Sequence, residues 1–357
     1  AADLARTASA SETALSNRNL VINGSMQVAQ RSVSETGLGA ASGYFTLDRW
    51  LMNPTSAGRF TMTQTADGPS GFANCLKLDC TTADTSIAAN ELVLLTQRFE
   101  GQDLQQIKKG TSDAELITVS FYVKANAVFT FGLELFDIDN SRQITKLFAT
   151  TTGWVRHELT FPADTTGAFD DNNANSFHLQ FLLHAGSNYT SGTLNTAAWA
   201  SSTNATRAAG IGSFYSSTDN NFFITGVQME VGPVATPFEH RSFGQELALC
   251  KRYYNRVADG NAFRIASGGY WSTSGFQAPI VFPVEMRSAP TLEIGTGTNY
   301  FVINGAASDY VNDLAIDSAK TKSCSVYNAD EASGTAGFSG MLSSANASAY
   351  LAFVAEL

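Results

Sequence analysis

The stretch FITGVQMEVGPVATPFEHRS, residues 223–242, decides the fold. It opens as a strand: alternation places Ile224, Gly226, Gln228 and Glu230 on one face and Thr225, Val227, Met229 and Val231 on the other. Gly232 and Pro233 end the alternation, and residues 237–242 then set an acid, an imidazole and a guanidinium side by side. Such a row is either catalytic or the lock at the end of a β-sandwich. Glu230 is out of phase with the Val227 and Met229 set, and is expected to form a structural ion pair with Arg241 or Arg49 that closes the sandwich. Phe238 is expected to plug the core at the chain exit.

On either side of this stretch the chain reads as short strands separated by Gly, Asn, Asp and Pro clusters. Residues 61–65, 75–80, 116–125, 129–136, 154–161 and 177–184 precede it, and 277–284, 291–294, 300–304, 323–327 and 349–357 follow it. Many short strands without intervening helices predict an all-β fold, a jelly-roll β-sandwich over residues 19–242 and a smaller C-terminal β-sandwich domain over 257–357. Between them, Leu247, Cys250 and Tyr254 share a helical face and Ser242 is placed to cap it, which predicts a bridging helix over 243–256. Residues 19–30 read as the first strand, and Trp50 and Trp154 as core. In residues 1–18, Leu4, Ala8, Ser11 and Leu15 have heptad spacing, the pattern of a short helical stalk or of a linker.

A net charge of −10 argues against nucleic acid as a partner, because phosphate contacts need a basic surface. No apolar run approaches the roughly 18–20 residues of a membrane-spanning helix, so no membrane insertion is expected. The chain opens without Met or a signal-peptide apolar region, and residue 1 is expected not to be the first translated. Cys75, Cys80, Cys250 and Cys324 form no paired motif and read as reduced core thiols; with four histidines in the chain, no metal site and no cofactor are expected. The acidic loops beginning at Asp137 and Asp170 fit Ca²⁺ by their oxygen density, but read as Asx-rich turns. No nucleophile elbow, zinc-protease or phosphate-loop signature occurs, so no catalytic residue is assigned; His240 reads as a satisfied structural histidine.

Sugar binding asks for exposed aromatic faces with amides and carboxylates close by. The aromatics in turn-like sequence are Tyr270, Trp271, Tyr300, Tyr189 and Trp199, and these are the candidate ligand-binding residues.

Taken together, NLVINGSMQVAQR (19–31), YFTLDRW (44–50), ITGVQMEVG (224–232), ATPFEHRS (235–242), ELALCKRYY (246–254) and FPVEMRSAPT (282–291) resemble the C-terminal portions of bacteriophage tail fibres and related virion appendages. The resemblance covers nearly the whole chain from residue 19 onward. It implies a jelly-roll module similar to carbohydrate-binding modules, a homotrimer, and a virion protein for host attachment without enzymatic activity. The implied partners are a bacterial surface glycan or lipopolysaccharide and, through the N-terminal segment, other virion proteins. The alternative is a structural head, collar or tail fibre that binds no receptor.

Overall fold

The computed structural model describes residues 17–357; the stalk expected over residues 1–18 falls, but for its last two residues, outside them. The described residues separate into two units, one ending at Glu246 and including Leu357, the other Leu247–Glu356.

The first unit contains β1 (Ser34–Leu38), β2 (Gly43–Tyr44), β3 (Leu51–Thr55), β4 (Arg59–Thr65), β5 (Cys75–Thr82), β6 (Leu92–Glu100), β7 (Ile117–Ala125), β8 (Thr130–Asp137), β9 (Arg142–Ala149), β10 (Val155–Phe161), β11 (Asn175–Ala185), β12 (Ala200–Ser201) and β13 (Asn221–Val231), with one helical turn, α1 (Ser187–Thr190). They form a six-stranded sheet ordered β1-β4-β5-β13-β7-β10 and a seven-stranded sheet ordered β12-β9-β8-β11-β6-β3-β2. The chain crosses repeatedly between the two sheets, as in a jelly roll, with β2–β3, β4–β5, β8–β9 and β11–β12 each remaining in one sheet. Phe60, Phe121, Phe131, Phe177, Phe181 and Trp50 fill the space between them. Burial of each such ring contributes about 1.5–3 kcal/mol, which is why the sandwich needs no covalent staple. All four cysteines are buried and free.

The quoted stretch carries a bulge. Pairing of β13 with β7 shifts register between Thr225 and Gln228, and Gly226 sits there at φ +61°. The extra residue changes the phase of the strand. Ile224, Val227 and Met229 therefore all point into the core, although alternation placed Ile224 on the face opposite the other two. Glu230 remains outside the apolar set. Its partner is neither Arg241 nor Arg49: Arg18 Nε lies 3.8 Å from Glu230 Oε2, and Thr236 donates to Glu230 from N (2.9 Å) and Oγ1 (2.6 Å). Arg241 instead donates to the Val21 carbonyl (3.0 Å) and contacts Glu246 (3.4 Å), while Arg49 donates to the Arg98 carbonyl (2.6 Å).

The row of charged residues is the lock. Glu239 accepts the backbone N–H groups of Asn17 (2.6 Å) and Asn19 (2.8 Å), so the end of the unit clasps its beginning. His240 packs tilted against Phe72 (5.1 Å) and edge-on to Phe238 (4.8 Å). Phe238 is half-buried on the surface with Phe72, not in the core, and Trp154 is half-buried beside Phe223. Residues 19–30 form a turn instead of the expected strand. Asn23 adopts a left-handed φ of 58°, and its Oδ1 accepts the N–H groups of Gln27 and Val28, which satisfies the backbone without a sheet partner.

The helix α2 (Phe243–Lys251) starts at Ser242, whose Oγ accepts from Gln245 N (3.3 Å). It stops before the expected residue 256. Tyr254 opens β14 (Tyr254–Asp259), because pairing with the last strand outweighs the helical spacing of its side chain. The second unit continues with β15 (Arg264–Tyr270), β16 (Phe276–Val281), β17 (Thr291–Ile294), β18 (Phe301–Asn304), β19 (Ser308–Val311), β20 (Ala315–Asp317), β21 (Ser323–Asn328), β22 (Ser339–Ser344) and β23 (Tyr350–Val354). A three-stranded sheet, β14-β23-β17, and a seven-stranded sheet, β19-β18-β22-β15-β16-β21-β20, share a core of Phe276, Phe301, Leu342, Leu351 and Phe353.

Candidate functional site

The outer face of the seven-stranded sheet in the second unit gathers aromatic, amide and hydroxyl side chains. In β16, Phe276, Ala278 and Ile280 point inward while Gln277, Pro279 and Val281 are exposed. The antiparallel register sets Gln277 opposite Tyr327 and Pro279 opposite Ser325 on β21. Side chains from two strands thus converge on one face. Gln277 Nε2 donates to Ser325 Oγ (3.0 Å).

Trp271 stands at the rim of this face, 49% exposed. It begins the turn between β15 and β16, where its N–H donates to the Gly275 carbonyl (3.1 Å). A Cβ at Gly275 would lie 2.3 Å from Trp271 Cε2, so only glycine lets the indole rest on the turn backbone. Tyr327 meets the indole edge-on at 6.2 Å and fixes its tilt. Gly268, Gly269, Tyr270, Trp271, Gln277, Pro279 and Ser325 line a shallow depression of 510 Å³. The Trp271 indole, an amide and a hydroxyl beside a glycine floor can stack on a sugar ring and bond its hydroxyls.

The other expected ligand-binding aromatics are placed differently. Tyr270 alternates inward from Trp271: it is buried against Phe276 (5.2 Å) and its hydroxyl donates to Asp309 Oδ2 (3.0 Å), with burial and that aspartate pushing the phenol up to about 12. Trp199 is also buried, its Nε1 donating to the Pro162 carbonyl (2.8 Å). Both rings are largely buried, although Tyr270 contributes to the lining of the depression. Tyr300 is half-buried over Gly297, and Tyr189 is half-buried beside Arg207, whose guanidinium carbon lies 5.9 Å from its ring. Tyr189 and Trp199 belong to the first unit and the other three to the second. Tyr327, Gln277 and Ser325 were missed by turn-based reading; their period-two spacing in two strands was the available signal.

Two polar clusters of the first unit are spent on structure. Glu134, Gln180 and His178 lie on one face of the seven-stranded sheet, where Arg207 grips Glu134 (Nη2–Oε2 2.7 Å) and Gln180 (3.0 Å). The buried Lys109 ammonium contacts Asp137 (2.5 Å) and Asp164 (3.2 Å) and donates to the Thr166 and Gly167 carbonyls. Asp137, considered above as a Ca²⁺ ligand, therefore has a cation supplied by the chain itself.

No protein-family model and no curated protein matches the sequence. In structure the chain is similar to the enzymatically active domain of tailspike protein 4 of bacteriophage CBA120, at 14% identity over 60% of this chain and 21% of that one, with a TM-score of 0.30. It is also similar to the family 11 carbohydrate-binding module of Clostridium thermocellum in complex with a mixed-linked tetrasaccharide, at 10% identity over 57% and 99% of the chains and a TM-score of 0.29. A third is the CBM22-1 xylan-binding domain from Paenibacillus barcinonensis, at 10% identity, 57% and 99% coverage and a TM-score of 0.28. TM-scores this low bear on neither ligand nor mechanism.

Proposed function

We propose that this chain is a non-enzymatic virion fibre protein that attaches to a bacterial surface glycan or lipopolysaccharide through the outer face of its second unit. The observation that carries the reading is the Trp271–Tyr327 pair beside Gln277 and Ser325. Assignment to a phage tail fibre and to a homotrimer rests on the sequence motifs quoted above. In a trimer, individually weak sugar contacts would act together through high effective concentration.

Binding of the purified chain to host cells and to extracted surface polysaccharide tests the reading. Trp271→Ala and Tyr327→Ala should each weaken binding up to about tenfold, the range of an aromatic contact worth roughly 0.5–1.5 kcal/mol. Unchanged binding in the double variant would remove the platform from consideration.

One observation favours a second reading, a structural fibre. Val281 (79%), Phe338 (61%) and Tyr310 (50%) leave large apolar groups exposed on the same unit. A chain that forms a trimer yet binds neither cells nor polysaccharide would support that role.

A further inference from the structure

Away from the platform, three buried side chains of the first unit converge. Asp84 follows β5, Glu91 precedes β6, and His184 lies near the end of β11; one donor atom from each falls within 4.8 Å of the others. Exposure is 5% for Asp84, 7% for Glu91 and 0% for His184. His184 Nε2 is 3.0 Å from Glu91 Oε2, and its Nδ1 is 2.7 Å from Ser213 Oγ. Asp84 is held by Ser56 Oγ (2.8 Å) and the Ala57 N–H (3.0 Å), both on Oδ2.

The charge balance of this cluster is unusual within the same unit. Where Asp137 and Asp164 are buried together, the chain inserts Lys109 and Arg142 between and beside them. Among the described residues, no Lys or Arg forms an ion pair with Asp84 or Glu91. Asp84 and Glu91 are hydrogen-bonded to each other, and two buried carboxyl groups this close, with an imidazole, Ser56 and the Ala57 N–H as their other partners, need a further cation or a shared proton. The donor set chooses between cations. Imidazole nitrogen with two carboxylates suits zinc and its first-row neighbours, whereas Ca²⁺ takes six to eight oxygens. Ser213 Oγ fixes the second ring nitrogen, the arrangement that orients a ligating histidine.

We propose that Asp84, Glu91 and His184 bind a divalent first-row metal ion, zinc foremost, that ties the β5–β6 connection to β11. No sequence motif announces it, because the ligands are separated by seven and about ninety residues and meet only when the two sheets pack.

The test uses the full chain, dialysed against EDTA and titrated with ZnCl₂, with bound metal counted by atomic emission and thermal unfolding followed in parallel. The expected result is one zinc per chain and a rise in Tm of several degrees, both lost in His184→Gln and in Asp84→Asn/Glu91→Gln. His240→Gln, which removes an exposed histidine, should leave both intact. The carboxamide double variant imitates a proton-sharing pair, so it keeps the claim testable if His184→Gln does not fold. Absence of stoichiometric zinc in the parent chain, retention of zinc by both ligand variants, or an equal rise in Tm with CaCl₂ would overturn the proposal.

Discussion

Lys109 shows how a single side chain sets the electrostatics of a sandwich edge. Its ammonium is 1% exposed and neutralises Asp137 and Asp164 at once, with the Phe169 and Trp199 rings 5.3 and 5.9 Å away. Burial pushes the Asp164 carboxyl up, but bonds from Arg142 and Lys109 hold it below the usual carboxylate range. Lys109→Met leaves buried negative charge without its cation and is expected to cost about 3–5 kcal/mol, read as a fall in the urea midpoint. His178 lowers stability in the same direction, as pH falls, but over a higher pH window. Burial, with Arg98 and Arg207 nearby, lowers its pKa from 6.5 to about 3. Below pH 6.5 the unfolded chain therefore binds a proton that the folded chain refuses, and stability falls by roughly 1.4 kcal/mol per pH unit until about pH 3. In His178→Gln the loss of stability between pH 7 and pH 4 should be smaller than in the parent chain. Neither role was visible in the sequence, because both depend on which loops cover the sheet.

At the scale of elements, β13 shows where alternation succeeds and where it fails. Its place and ends were legible from apolar spacing and from Gly232 and Pro233. Its phase was not, because the bulge at Gly226 exists only against β7. A Cβ on Gly226 would lie 2.7 Å from Phe72 Cζ and 2.9 Å from Tyr122 Cδ2, and its φ of +61° disfavours any side chain. Gly226→Ala should destabilise the first unit by about 1–3 kcal/mol, checked by equilibrium denaturation. The same logic explains Tyr270. Its turn-like sequence suggested exposure, yet it is the last residue of β15 and takes the inward position against Phe276. Trp271, one residue later, leaves the strand and becomes the rim of the candidate site. The strand β6 escaped notice because burial on both faces removes the polar half of the pattern; it is buried at every position except Arg98.

For the whole molecule, the all-β class was written in the density of short apolar runs and turn residues, while the pairing order of the sheets was not. Sheet order depends on contacts hundreds of residues apart, as when Glu239 accepts the N–H groups of Asn17 and Asn19. The central functional claim concerns the second unit, and tryptophan fluorescence isolates it. Trp50 and Trp199 are buried, Trp154 is half-buried, and Trp271 is 49% exposed. The most direct measurement is a titration of the Trp154→Phe and Trp271→Phe variants with host surface polysaccharide, following emission. A saturable change that survives in Trp154→Phe and disappears in Trp271→Phe is the predicted result. A change that persists in Trp271→Phe, or that is lost in Trp154→Phe, would contradict the assignment of the sugar platform to this face.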